Sequence, residues 1–468
     1  MQDMQQMVKP TESITRQFWR YTLPTIAAML VNGLYQVVDG IFIGRYVGAQ
    51  GLAAINVAWP IIGTVLGVGL MIGVGTGALC SVSKGEGDHE KAQRIMSTGF
   101  IFLLIASIAA SLTLFTFGHD LLVLQGATGQ VLELGHQYIS VLAFAVIFAF
   151  GSIAVPFLLR NDGRPNFATG LMVLGAVANI ALDYVLIAWF QWELMGAAIA
   201  TAISQSLVTL IGLGYFFTDK ADLRLTRKTL SFSITHCRGI AWIGLSSFFM
   251  YAYGSFMVAL HNVQFIKYGD VTMVGAYAIL GYIVTVYYLV AEGVAGGMQP
   301  LVSYNHGAGN QANIRKALKL GMVVSVVVGV LFVIVVNIAP HQFASIFNSE
   351  DSKLIDHTVL GLRLHLFAMF LDGFLVVTAA YYQSVGKGSK SLFVTIGNML
   401  VQLPFLFLLP IWFGAEGVWL ALPLSNIALS SVVAFMLYRD IKQLDALHLG
   451  RHQGMSAKGS EATAETLA

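Results

Sequence analysis

The chain has 468 residues, of which 56% are hydrophobic and 11% are charged. A soluble domain carries roughly 25% charged residues, so this composition excludes an ordinary soluble globule and indicates a protein embedded in lipid. The formal net charge is only +2, and no basic stripe is interleaved with aromatic residues, which argues against a nucleic-acid partner. The two cysteines, Cys80 and Cys237, have neither metal-ligand spacing nor a disulfide framework.

Apolar stretches long enough to cross a bilayer recur along the sequence. A spanning helix needs about 20 apolar residues, and about twelve such stretches can be counted. The first stretch is longer than the core of a signal peptide, about 7–15 residues, so we expect it to be a spanning helix. The spans are expected near residues 18–43, 52–80, 95–117, 133–158, 167–188, 196–217, 239–266, 272–303, 314–339, 359–383, 391–412 and 416–438.

Lysine and arginine are distributed unevenly among the connections. Those after even-numbered spans hold most of them, Arg160 and Arg164 included, whereas those after odd-numbered spans hold only Arg45, Lys267 and Lys353. Basic connections stay in the cytoplasm. We therefore expect a multi-pass protein of the plasma membrane (a bacterial inner membrane) with both termini cytoplasmic, an N-terminal segment at 1–17 and a polar tail at 441–468.

The sequence contains an internal repeat. SKGEGDHEKAQ (83–93) follows the second span, and NHGAGNQANIRKA (305–317) follows the eighth. An offset near 222 residues aligns four pairs of glycines, which indicates a duplicated unit. The pairs are Gly85 with Gly307, Gly87 with Gly309, Gly163 with Gly386, and Gly196 with Gly417.

Each repeat unit holds about six spans, and an even number makes the two units parallel, related by an axis along the membrane normal. We predict an all-α membrane protein with about twelve transmembrane helices. They form two six-helix bundles with pseudo-two-fold symmetry, at 18–222 and 223–440. Two facing bundles are typical of alternating-access transporters. No nucleophile–base pair or metal-ligand set is present, so we expect neither an enzyme nor a cofactor.

The first span carries an unusual polar stripe. Asn32, Tyr35, Gln36 and Asp39 are spaced so that they share one helix face. An Asp at the centre of a membrane helix costs about 2.5–3.5 kcal/mol, so such residues usually face a cavity or a partner. The alternative is a structural hydrogen-bond stripe between helices.

The fifth span repeats this pattern with Asn179 and Asp183, which lie one turn apart. A carboxylate beside a carboxamide can hold a proton or a small cation, and oxygen ligands suit sodium. A structural hydrogen bond between helices is again the alternative. Glu292 and Asp372 are weaker candidates in the second bundle.

Two further features bear on the first bundle. Pro24 removes one helix hydrogen bond and marks a bend point before Asp39, or merely a static kink. The repeat alignment places Leu260 opposite Asp39 and Leu406 opposite Asp183. We therefore expect ion handling to be concentrated in the first bundle.

The sequence resembles the multidrug and toxic compound extrusion (MATE) transporters over roughly residues 15–440. The resemblance rests on VDGIFIGRYVGAQGLAAI (38–55), the SKGEG and NHGAGN turns, GMQPLVSYN (297–305) and NIALDY (179–184). It is nearest to the DinF-like branch, whose ion site is matched by Asp39, Asn179, Asp183 and Thr201. That branch also matches Pro24 and Tyr35. Asp372 resembles an acid of the NorM-like branch, but the seventh span has no acidic partner for it.

The resemblance implies a secondary active exporter, which we expect to be monomeric. It would antiport amphipathic organic cations against protons or sodium, with sodium held by Asp39, Asn179, Asp183 and Thr201. One alternative is a flippase for a lipid-linked precursor, which would favour a strongly cationic cleft. Another is a channel or receptor.

Overall fold

The computed structural model describes residues 12–226, 229–347 and 351–465, and within them the ordered elements are helices. Six helices form the first half of the chain. Their bounds are α1 Ile14–Tyr46, α2 Ala49–Gly85, α3 His89–Leu124, α4 Gly129–Asn161, α5 Pro165–Asp183 with a π-helical continuation at Tyr184–Trp189, and α6 Glu193–Tyr215.

The second half repeats this arrangement. Its helices are α7 Ile234–Tyr268, α8 Val271–Gly307, α9 Gln311–Ile338, the short α10 Pro340–Ser345, α11 Ser352–Leu366, α12 Phe370–Ser384, α13 Gly388–Phe413 and α14 Ala415–Glu465. In the described residues, 11 helices are long and apolar enough to cross a membrane, or 12 if the bent pair α11 and α12 is one span. The predicted fold, two six-helix bundles, is confirmed.

The helices form because a backbone in lipid must satisfy its own hydrogen bonds. Their ends are marked by local chemistry. Asp88 and Asn310 cap the helices that follow the two repeated turns, by accepting from the backbone N–H of Lys91 and Asn313. Each turn contains a glycine with positive φ, 82° at Gly87 and 69° at Gly309, where glycine is the favoured residue.

The internal repeat is visible as reciprocal packing. A Cβ on Gly85 would collide with the carbonyl oxygen of Tyr304, and a Cβ on Gly307 would collide with that of Val82. Both contacts join α2 to α8 with the same geometry, as expected if the pseudo-two-fold axis passes between them. The other predicted glycine pairs also occupy equivalent sites, so the repeat is confirmed.

The tenth span differs from its prediction as a single helix. It is divided into α11 and α12, which meet at an angle of 48°. The break falls at Phe367–Met369, a stretch with neither proline nor glycine, so the sequence gives no local signal for it. Asp372, expected deep within a span, instead lies in the first turn of α12, where a helix N-terminus favours negative charge.

Helix α1 is shared between the cores of the two bundles. Its first turns, from four residues before the expected start, bury Ile14, Phe18 and Tyr21 in a cluster with residues of α8, α9, α12, α13 and α14. Its other end buries Ile43 among residues of the first bundle. Pro24 lies between these two segments, so α1 crosses from one bundle to the other.

The bundles meet at the end of the molecule that carries the two repeated turns. There, Gly293 and Gly297 of α8 lie against the backbone of α1 at Ile26 and Thr22. A cavity of about 350 Å³ lies between the bundles beyond these contacts.

Candidate functional site

The structure brings the four predicted site residues together within the first bundle. The carboxyl groups of Asp39 in α1 and Asp183 at the end of α5 lie near each other. Asn179 lies one turn before Asp183, and its Nδ2 donates to the hydroxyl of Thr201 in α6 over 3.5 Å. Three helices therefore contribute to one polar cluster, which we call the acid site.

The acid site is rich in oxygen atoms that have no protein donor. Asp39 Oδ1, Asn179 Oδ1 and both carboxyl oxygens of Asp183 are buried without a hydrogen-bond partner. Leaving such atoms unpaired is costly. These oxygens fit either a proton shared between two carboxyls or a hard cation such as sodium, which prefers oxygen ligands.

The local fold of α5 changes at this site. The α-helix ends at Asp183 and continues as a π-helix over Tyr184–Trp189. A π-helical turn alters the direction of the side chains that follow and occurs frequently at functional sites. Asp183 is therefore the last α-helical residue before the change.

Sequence reasoning missed Tyr138, which contributes a fourth helix to the acid site. This residue of α4 is 7% exposed and lies near Asp39, Asp183 and Thr201. A lone tyrosine in an apolar span carries no pattern that distinguishes it from a packing residue. Only the helix arrangement shows where it lies.

The polar stripe of α1 divides between two environments. Asn32, Tyr35 and Gln36 line the cavity between the bundles, whereas Asp39 lies one turn further along, at the acid site. The same helix face thus joins the cavity to the acid site.

Pro24 is tied to α5 by a hydrogen bond. The hydroxyl of Thr169 donates to the Pro24 carbonyl oxygen over 2.8 Å. The helix continues through Pro24, although the proline ring cannot donate the usual backbone hydrogen bond. This contact anchors the predicted bend point against the first bundle.

The cavity wall is mainly apolar, with Met29, Met172 and Met250 among its side chains. Flexible methionines suit ligands of varied shape. In the described residues the cavity has two charged lining side chains, Glu292 and Arg160. The interpretation of Arg160 as part of a cytoplasmic connection is wrong: it occupies the last turn of α4 and is 0% exposed.

The second-bundle acids lie apart from the acid site. Glu292 lies on the cavity wall contributed by α8. Asp372 accepts a hydrogen bond from the Tyr288 hydroxyl over 3.2 Å, and the side chains of Asn398 and Asn426 also lie at its carboxyl. Asp372 therefore has a polar environment of its own in the second bundle, with one hydrogen bond from Tyr288.

Matched at the C-terminal ends of their helices, Asp39 of the first bundle corresponds to His261 of the second, the neighbour of the Leu260 given by the sequence alignment. A shift of 222 residues relates the end of α1 at Tyr46 to the end of α7 at Tyr268.

Both ring nitrogens of His261 have hydrogen-bond partners, whereas Asp39 Oδ1 has none. Its Nδ1 donates to the Met257 carbonyl over 2.8 Å, and its Nε2 lies 3.4 Å from the amide nitrogen of Gln402, which donates to it. Gln402 occupies the position in α13 that Asn179 occupies in α5. The two bundles thus share a fold but differ in their buried polar groups.

This geometry can be set beside known proteins. The MatE family model matches residues 24–185 and 245–408, one segment in each bundle. The chain belongs to the MatE family. The resemblance to MATE transporters is therefore confirmed, and a member of this family is a multi-pass membrane transporter rather than an enzyme. The assignment to the DinF-like branch stays a prediction.

Individual relatives are similar over nearly their whole length. The multidrug export protein MepA of Staphylococcus aureus (strain MSSA476) is 24% identical over 451 residues, which is 96% of this chain and 99% of that protein. MepA of Staphylococcus saprophyticus is 25% identical over 458 residues, with the same coverage. The solved outward-facing structure of a MATE multidrug resistance transporter has a TM-score of 0.89 at 24% identity, over 95% of this chain and 99% of that one.

Proposed function

We propose that this protein is a secondary active multidrug exporter of the plasma membrane. It antiports amphipathic organic cations out of the cell against protons or sodium, and it needs no other cofactor. The observation that carries this proposal is the acid site, where unpaired carboxyl oxygens lie one helical turn from a large, mainly apolar cavity.

The cavity supports the choice of substrate. Methionine and aromatic walls accept apolar bodies of different shapes. The Glu292 carboxylate lines this cavity and makes no ion pair with another described residue, so it can attract a positively charged group. A flippase for an anionic lipid-linked precursor is less well supported, since the described cavity has one cationic lining residue.

Helix α1 provides a route from ion binding to the cavity. A proton or sodium ion at Asp39 changes the charge balance at the acid site, while Asn32 and Gln36 on the same face line the cavity. Pro24 lets α1 bend between the part held by the first bundle and the part held by the second. Ion binding would thus change the cavity shape, and substrate and ion would be exchanged in alternation.

The orientation follows from charge. We propose that the end with the repeated, basic turns is cytoplasmic, with both termini on that side. The bundles are in contact there, so the described conformation is closed to the cytoplasm. The substrate would enter in the opposite, inward-open conformation. We expect a monomer to suffice, because both bundles belong to one chain.

The test is efflux of the fluorescent cation rhodamine 123 from proteoliposomes under a sodium gradient alone and then a proton gradient alone. We expect one ion to drive efflux, and Asp39→Asn to abolish it while the protein remains folded in the membrane. Asp120→Asn makes the same substitution at an exposed position and should leave efflux unchanged. Normal gradient-driven efflux by Asp39→Asn would overturn the proposal.

A further inference from the structure

Arg160 is a buried cation without an anionic partner. It is 0% exposed, and its Nε and Nη1 atoms have no hydrogen-bond partner. Its Nη2 donates to the sulfur of Met172 over 3.4 Å, and its Cζ lies 4.9 Å from the Phe157 ring centroid. A guanidinium offers five N–H donors, and a thioether is a weak acceptor, so most of this donor capacity is unused.

Such a side chain is expensive to keep. Burying a charge without a partner costs several kcal/mol, and replacing it by an apolar residue of similar length would remove that cost. Arg160 makes no ion pair with any residue that the structure describes. Arg160 is among the residues that line the cavity, so the missing acceptor can be supplied from there.

The location of Arg160 relative to Glu292 suggests what that acceptor is. Nη1 reaches α8 at Gly296, where a Cβ would lie 3.6 Å away. Glu292 lies four residues earlier on the same face of α8, about 6 Å along the helix axis. The two charges do not pair with each other, and both residues line the cavity, which therefore presents one positive and one negative group.

We propose that Arg160 is an anion-binding subsite of the cavity, which takes the carboxylate of a substrate whose cationic group is held at Glu292. This inference rests on the proposed function and adds amphipathic zwitterions to its substrates. A carboxylate can accept two parallel hydrogen bonds from a guanidinium. It would displace the Met172 thioether, a flexible group that lines the same cavity.

The test compares two dyes that share one cationic ring system. Rhodamine 110 carries a free carboxylate, and rhodamine 123 is its methyl ester. Binding to purified protein in nanodiscs is measured by fluorescence anisotropy without any gradient, so the result is independent of ion coupling. The variants are Arg160→Met, Arg160→Lys and Glu292→Gln, with the exposed Arg94→Met as the matched control.

We expect Arg160→Met to weaken the binding affinity for rhodamine 110 by about 10-fold to 100-fold, the range for a lost hydrogen bond to a charged group. Rhodamine 123 should be nearly unaffected. Arg160→Lys should retain part of the preference for rhodamine 110 over rhodamine 123, and Glu292→Gln should weaken the binding of both dyes. Equal losses of both dyes in Arg160→Met would assign Arg160 to the structure of the cavity floor and overturn the subsite.

A second variant covers the case in which Arg160→Met does not fold. Met172→Leu keeps the size of the side chain but removes its sulfur acceptor. We expect it to tighten rhodamine 110 and leave rhodamine 123 unchanged, because the carboxylate no longer displaces an acceptor. Unchanged rhodamine 110 binding in Met172→Leu would count against the subsite. Efflux of rhodamine 123 by the wild type would still support the exporter, whereas a wild type that binds neither dye would overturn both proposals.

Discussion

Two Gly→Ala substitutions in α8 should change the stability of the protein in different directions, because only one of them lies at the contact with α1. In α8, a Cβ on Gly297 would lie 2.5 Å from Thr22 Cα and 3.0 Å from Thr22 N, both in the backbone of α1. Carbon atoms in contact are normally about 3.5–4.0 Å apart. Alanine at this position therefore requires the two helices to move apart by about 1 Å.

The expected cost follows from overpacking. Forcing an extra methyl group into a close-packed contact costs about 1–3 kcal/mol. At Gly281, in the same helix, a Cβ would meet nothing within 4 Å. There the substitution brings only the better helix propensity of alanine, about 1 kcal/mol. We therefore expect Gly297→Ala to lower stability and Gly281→Ala to maintain or raise it.

The assay can use the native cysteines. Cys80 and Cys237 are both buried, so a thiol-reactive fluorophore reports their exposure during heating. The temperature at which half of the cysteines have reacted should be lower for Gly297→Ala than for the wild type, whereas for Gly281→Ala it should not be lower. Equal midpoints for the two variants would refute the close approach of α1 and α8.

Two other predictions concern polar contacts. Thr169→Val removes the hydrogen bond to the Pro24 carbonyl and should lower stability by about 1 kcal/mol. Thr113→Val removes an exposed hydrogen bond within one helix and should lower stability less in the same thermal assay. Equal losses of stability in the two variants would contradict an anchoring role for Thr169. The Lys353 ammonium beside Asp270 lowers the pKa of that carboxyl to about 2. Any stability that the pair contributes is therefore fully present above the unfolded-state pKa of aspartate, near 4, and is lost as the pH falls through about 2. The advantage of wild type over Asp270→Asn in thermal midpoint should then shrink as the pH is lowered from about 4 towards 2, and an advantage that is unchanged over this range would contradict the pairing with Lys353.

Hydropathy predicted the spans because lipid forces long apolar helices, and the repeated glycines predicted the symmetry because their turns and close contacts admit few other residues. The spacing of Asn179 and Asp183, and the resemblance that added Thr201, indicated residues that the fold brings to Asp39. Their role in coupling is still a prediction.

Other features depend on packing that one sequence does not encode locally. Arg160 follows an apolar segment, as a cytoplasmic arginine would, and only the placement of α8 shows that it is enclosed. Tyr138 resembles any aromatic residue of a span until α1 and α6 are placed beside it. The break before Asp372 has no proline or glycine, so it reflects tertiary contacts rather than local chemistry.

The sharing of α1 between two cores has a consequence for synthesis. Phe18 and Tyr21 are made first, but the cluster that buries them includes residues as late as Leu437. While the first bundle emerges from the ribosome, the start of α1 has no protein core to enter. The first bundle therefore cannot complete its assembly on its own, although it arose as one half of a duplication. The last helices to be inserted fix the position of the first, so truncation of the second bundle should impair the first as well.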